Sequence, residues 1–171
     1  HLLHHLHEPV ILLVVDARRG DESAPVDELQ VHALLHQGRG VEALDAFLKT
    51  GDGATLLAGV KRAANILAIE EKKDKKSYAG TYDLKLLKEV EETALAAKIE
   101  EVKQDTVAAI NVENFAGAMR ALAELRPPVD AFFDKIMVNA DDAKIRENRL
   151  KLLSEIRAAT QTVADFSKIA G

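Results

Sequence analysis

PPVDAFFDKIMVNADDAKIRENRLKLLSEIRAATQTVADFSKIAG, residues 127–171, decides the fold. It reads as a short helix, a tight connection and a long closing helix. Two prolines lead the short helix, where a missing N–H costs nothing because first-turn amides have no intrahelical acceptor. In the closing helix Ile145, Arg149, Leu152, Ile156, Ala159, Val163, Phe166 and Ala170 recur at spacings of three and four. That spacing draws one stripe down one face.

Arg149 is the only charged residue on that stripe. A buried guanidinium needs a partner, because it cannot shed its proton and an unpaired buried charge costs several kcal/mol. An antiparallel hairpin turning near Asn139 and Ala140 supplies one: a single register sets Asp130 opposite Arg149 and Asp134 opposite Arg146. The four residues are read as structural ion pairs pinning the hairpin. The functional alternative is that Arg149 contacts a ligand.

Working outward, Gly and Pro are scarce, at 9 and 4 of 171 residues, and alternating β-branched runs are nearly absent, so the class is all-α. A chain this long can bury about two thirds of its unfolded surface. No apolar run reaches the roughly 20 residues that span a bilayer. Without cysteine there is no disulfide framework and no thiolate chemistry, which fits a cytoplasmic protein. The net charge of −5 does not announce a nucleic-acid binder, so any RNA contact must come from a local basic patch.

Residues 1–40 read as an N-terminal appendage of uncertain packing, mostly helical. Pro9 separates a His-rich head from an apolar run to Val15, and a helix is expected from Pro25 to Gln37. All six histidines fall in the first 36 residues. His32 and His36 share a helical face, but no third ligand or zincin glutamate accompanies them, so no metal site is assigned.

Asp52 is expected to cap a helix over about 54–73, with Leu56, Leu57, Val60, Ala63, Ala64 and Leu67 inward. Another helix covers Val41–Lys49, with one kinked helix across Gly38 and Gly40 as an alternative. Between Lys61 and Lys76 stand six basic and three acidic residues, with Tyr78 and Tyr82 at the far end. Cations interleaved with aromatics suit a single-stranded RNA loop, although as bare composition the run is a solvated helix end. A helix begins at Leu84–Leu87, and a long one over 90–110 carries Glu89, Glu91, Glu92, Glu100 and Glu101 as an acidic outer surface. Asn111 or Asn114 caps the next, and Pro127 ends it.

PVDAFFDKIMVNADDAKIRENRLKLLSEI at 128–156, KRAANIL at 61–67, VEALDAFL at 41–48 and ADFSKIA at 164–170 together resemble the C-terminal anticodon-binding domain of the bacterial glycyl-tRNA synthetase beta-subunit family. The pattern is a Pro-Val-Asp helix with two Phe, a Met-Val turn with acidic residues, then Arg-x-x-Arg-Leu. The likeness covers Val41 to Gly171 and stops there; residues 1–40 do not follow it. The helical domain of arginyl-tRNA synthetases shares the architecture without the PVDAFFD phrase.

The resemblance implies an antiparallel helical bundle over 41–171 that grips the anticodon end of a glycine-accepting tRNA. It implies an alpha subunit as partner, which activates glycine with ATP and Mg2+, so no cofactor and no catalytic residue are expected here. It also lifts the RNA reading of the basic patch above the solvated-helix reading. The RNA-binding candidates are Lys61, Arg62, Asn65, Lys72, Lys73 and Lys144, with Lys151 beside them and Arg149 if it is not locked by Asp130. The alternative functions are a helical protein–protein docking module and the anticodon-binding domain of an arginyl-tRNA synthetase.

Overall fold

The computed structural model describes residues 37–164, together with 166 and 169. The expected Pro25–Gln37 helix, the Pro9–Val15 run, the His32/His36 pair and the packing of the appendage lie outside the described residues. Among the described residues six α-helices follow one another: α1 (Gln37–Leu48), α2 (Gly51–Asp74), α3 (Val90–Asn111), α4 (Phe115–Ala123), α5 (Arg126–Lys135) and α6 (Ala143–Gln161). A 3-10 turn at Leu84–Leu86 stands where a longer helix was expected. The described residues contain no strand, in keeping with the all-α reading.

The helix ends follow local chemistry. α1 runs through Gly38 and Gly40 as one helix. Thr50, not Asp52, caps α2: its hydroxyl oxygen accepts from Gly53 N at 3.0 Å. Asp52 lies inside the first turn, where its charge suits the helix dipole, and accepts from Arg126 at 2.9 Å. Gly53 is required there, since a Cβ would overlap the Phe47 carbonyl at the end of α1. Asn114 and Asp142 cap α4 and α6 through their side-chain oxygens, and the two prolines sit in the first turn of α5.

The packing has a diagonal pair. α2 and α3 each pack on both α5 and α6, whereas α5 and α6 barely touch one another. α5 runs along α2 in the same sense, with Arg126 against Asp52 and Phe133 against Arg62. Gly59 makes this approach possible, since a Cβ there would come within 2.9 Å of Val129 Cγ1. α6 runs along α3 in the same sense, with Arg149 against Glu92 and Lys103 against Glu155. Leu56, Val60, Leu67, Leu95, Ile99, Leu122, Phe132, Leu152, Leu153 and Ile156 meet in the shared core with no exposed surface.

This arrangement overturns the expected hairpin pairs. Arg149 is buried, as its stripe demanded, but its partner is Glu92 of α3, not Asp130. Nε and Nη2 of Arg149 donate to the two Glu92 oxygens at 3.1 Å each, and Nη1 donates to the Met137 carbonyl at 2.8 Å. Asp130 instead lies 3.4 Å from Arg126, both partners well exposed. Asp134 does not meet Arg146 either; it stands at the surface beside Lys135. Both differences have one cause: α5 and α6 occupy opposite corners of the bundle, so these two consecutive helices are not neighbours.

Glu92, expected on the acidic exterior of α3, is fully buried. Its Oε1 accepts from the backbone N–H of Lys88 and Glu89 at 3.2 and 3.0 Å, completing a capping box at the start of α3. One carboxylate therefore caps the start of α3, neutralises Arg149 and, through Arg149, holds the α5–α6 connection. Glu92→Ala should destabilise the protein by about 3–5 kcal/mol in urea unfolding, because it strands a buried guanidinium. Asp130→Ala should cost less than about 1 kcal/mol, as expected of an exposed pair. The reverse order would show that the hairpin pairing exists in solution.

Candidate RNA interface

The inner face of α2 is fixed by Leu56, Leu57, Val60, Ala63 and Leu67, which leaves the residues between them facing outward. Lys61 is half-buried; Arg62, Asn65, Lys72 and Lys73 are exposed on that outer side. Lys144 is exposed in the first turn of α6. Among the described residues Lys61, Lys72 and Lys144 form no ion pair. Lys73 stands 3.8 Å from Glu70, a distance too long to hold a lysine in water. These cations are available to phosphates. Lys151 is engaged by Glu147 at 3.3 Å, and Arg149 is spent on Glu92 and Met137, so neither belongs to the open surface.

α6 is fastened to the end of α2 by a second arginine. Arg146 Nη2 donates to Glu70 and, at 2.7 Å, to Asp74 Oδ2; Nη1 donates to Tyr78 Oη at 3.3 Å and Nε to Asn139 Oδ1 at 3.0 Å. The Tyr78 hydroxyl in turn donates to Asp74 Oδ2 at 2.6 Å. Beside this knot Lys76 donates to Glu147 at 2.9 Å, and Asn148 exchanges two bonds with the Asp83 backbone. The clasp fixes where α2 ends and where α6 begins, and so where Lys72, Lys73 and Lys144 stand.

The aromatics read as base-stacking rings are not available for that task. Tyr78 and Tyr82 are buried, Tyr78 inside the clasp and Tyr82 against the core. The accessible ring comes instead from α5. Phe133 is half-buried and the Arg62 guanidinium lies over it, 4.6 Å from the ring centroid. Phe132 and Phe133 are adjacent, and adjacent side chains on a helix diverge, so one enters the core and the other reaches its edge. That divergence was the only sequence signal for Phe133; its meeting with Arg62 depends on α5 lying along α2.

Charge partners shift the titration of the clasp. The Tyr78 phenol, and next the Arg146 guanidinium, hold the Asp74 carboxyl below the usual range. Burial, then the hydrogen bond to Asp74, pushes Tyr78 up. The hydrogen bond to Glu70, followed by that to Asp74, pushes Arg146 further up. A depressed carboxyl contributes stability that is present above its unfolded pKa and lost as pH falls through the folded one; a raised phenol contributes stability lost as pH rises above about 10. Urea midpoints of the wild type should therefore fall below about pH 4. Asp74→Asn should lower the midpoint at pH 7 but flatten the fall in acid. An equally steep acid fall in Asp74→Asn would place the sensitive carboxylate elsewhere.

Comparison with known proteins agrees with the helical fold. A family model described as the DALR anticodon binding domain matches residues 56–166, from the first core leucine of α2 to the buried Phe166. The glycine–tRNA ligase beta subunit of Rhodospirillum centenum is 53% identical over 132 residues, covering 77% of this chain and 18% of that protein. The protein of the same name from Phenylobacterium zucineum is 47% identical over 161 residues, covering 94% of this chain and 24% of its own length. The chain thus spans about a quarter or less of these curated relatives. With four of the six described helices and most of α2 inside the matched span, and no strand among the described residues, the chain belongs to the DALR anticodon-binding domain family.

Proposed function

We propose that this chain is the anticodon-binding part of a glycine–tRNA ligase beta subunit and holds the anticodon loop of a glycine-accepting tRNA on the outer side of α2. The observation that carries the reading is a set of cations with no ion pair among the described residues, Lys61 and Lys72 of α2 and Lys144 of α6, on a helical frame of the anticodon-binding family. Phosphates approaching this set displace condensed counterions, which supplies most of the affinity and steers the RNA in. The outer side of α3, with exposed Glu89, Glu100 and Glu101, repels the same backbone and leaves one productive orientation. Asn65, exposed between the cations, offers an amide to a base edge.

The chain's own task in this reading is recognition. Activation of glycine with ATP and Mg2+ belongs to a separate alpha subunit of a cytoplasmic hetero-oligomer, and the bundle positions the far end of the tRNA for it. Gel-shift titration of the 171-residue chain with a glycine-accepting tRNA tests the reading. Between 50 and 200 mM salt the affinity should fall roughly 50-fold if about four phosphates are engaged along an unpaired loop. Lys61→Glu with Lys72→Glu should remove binding while leaving the circular dichroism unchanged. Salt-insensitive binding, or none, would favour a protein-docking module.

A further inference from the structure

The face that carries the cations is not uniformly basic. Between α2 and α5 lies an open cleft of about 550 Å3, lined by Ala58, Gly59, Arg62, Asp130, Phe133 and Asp134 among others. Its size falls in the roughly 300–1,000 Å3 range of small-ligand sites. Two carboxylates stand against one guanidinium, so a phosphate entering it would be repelled. A neutral flat ring would not be. The Arg62 guanidinium carbon lies over the Phe133 ring, 4.6 Å from its centroid, and Arg62 is exposed with no ion pair among the described residues. The ring partners one side of this exposed cation, and a planar guanidinium can take a second ring on its other side.

We propose that this cleft is a subsite for one unstacked nucleobase bearing an exocyclic amino group, stacked on the Arg62–Phe133 pair and read at its edge by Asp134. The inference rests on the anticodon-binding reading and adds the class of base and the residues that select it. A carboxylate only accepts hydrogen bonds, so it favours the amino donors of cytosine, adenine or guanine and disfavours uracil, whose corresponding edge carries an accepting oxygen. Asp134 is the free member of the acidic pair, with a side chain 74% exposed and only its neighbour Lys135 near, at 3.9 Å. Asp130 faces Arg126 at 3.4 Å and serves as the cleft's negative wall. Division of labour follows: Lys61, Lys72 and Lys73 hold backbone outside the cleft, while the cleft admits a base and turns phosphate away. The floor depends on Gly59, whose missing Cβ lets α5 lie close enough to bring Phe133 under Arg62.

The test uses the full 171-residue chain and tRNA transcripts in which each anticodon-loop nucleotide is replaced in turn by uridine. At one loop position the replacement should weaken wild-type binding about ten-fold. Asp134→Asn should reduce that loss to less than about three-fold, because the amide accepts and donates alike. Arg62→Lys keeps the charge but not the plane, so it should weaken binding about ten-fold while preserving the salt slope. If both variants retain the wild-type position-specific loss and affinity, the subsite is wrong while salt-dependent tRNA binding still upholds the broader reading. If the wild type shows no salt-dependent tRNA binding, the broader reading fails and the subsite falls with it.

Discussion

The bundle depends on one desolvated pairing, the two-pronged bond between Arg149 of α6 and Glu92 of α3. Neither group can leave it cheaply. A guanidinium cannot lose its proton, and Glu92 has no exposed surface on which to find water. The third Arg149 bond, to the Met137 carbonyl, extends the constraint from two helices to the connection between α5 and α6. That connection leaves α5 at Ile136, three residues after Phe133, whose ring meets Arg62 where α5 lies along α2. Arg146 repeats the device at the end of α2, with Glu70 and Asp74 in place of Glu92.

Pairs of this kind are weak sources of net stability, because desolvation offsets most of the Coulombic gain. Their effect here is on arrangement. The apolar core alone, built from Leu, Ile, Val, Ala and Phe, tolerates slippage of one helix along another at small cost. Arg149 and Arg146 lie three residues apart on α6 yet face carboxylates on two different helices, so a slip or rotation of α6 breaks both pairs. Specific polar partners thus register α6 while apolar burial drives the collapse.

Much of this was legible in the letters. The all-α class, the helix bounds to within a few residues, the inner face of α2 and the burial of Arg149 all follow from periodicity and caps. The outward placement of Lys61, Arg62, Asn65, Lys72 and Lys73 follows from the same wheel. The identity of Arg149's partner did not follow, because a pairing 57 residues distant depends on which helices become neighbours, and chain order suggests α5 where the structure uses α3. A local clue existed: Glu89 and Glu92 are spaced as a capping box, which turns the second carboxylate back toward the helix start and away from the acidic exterior. Tyr78 and Tyr82 misled for a related reason. In a polar, lysine-rich stretch they read as surface rings, yet the loop folds back and the Tyr78 phenol is consumed by Asp74 and Arg146.

Of the cations read from the sequence, Lys72, Lys73 and Lys144 stand exposed and Lys61 half-buried, while the accessible ring is Phe133 and not Tyr78 or Tyr82. In the proposed reading the phosphate-holding lysines stand on α2 and α6, the base-accepting cleft lies between α2 and α5, and the acidic side of α3 takes no part. Hydrogen–deuterium exchange of the chain with and without a glycine-accepting tRNA tests this division most directly. The account predicts slowed exchange around residues 61–73 of α2 and 130–135 of α5, with the outer half of α3 unchanged. Protection centred on residues 89–101 instead, with α2 unaffected, would contradict it.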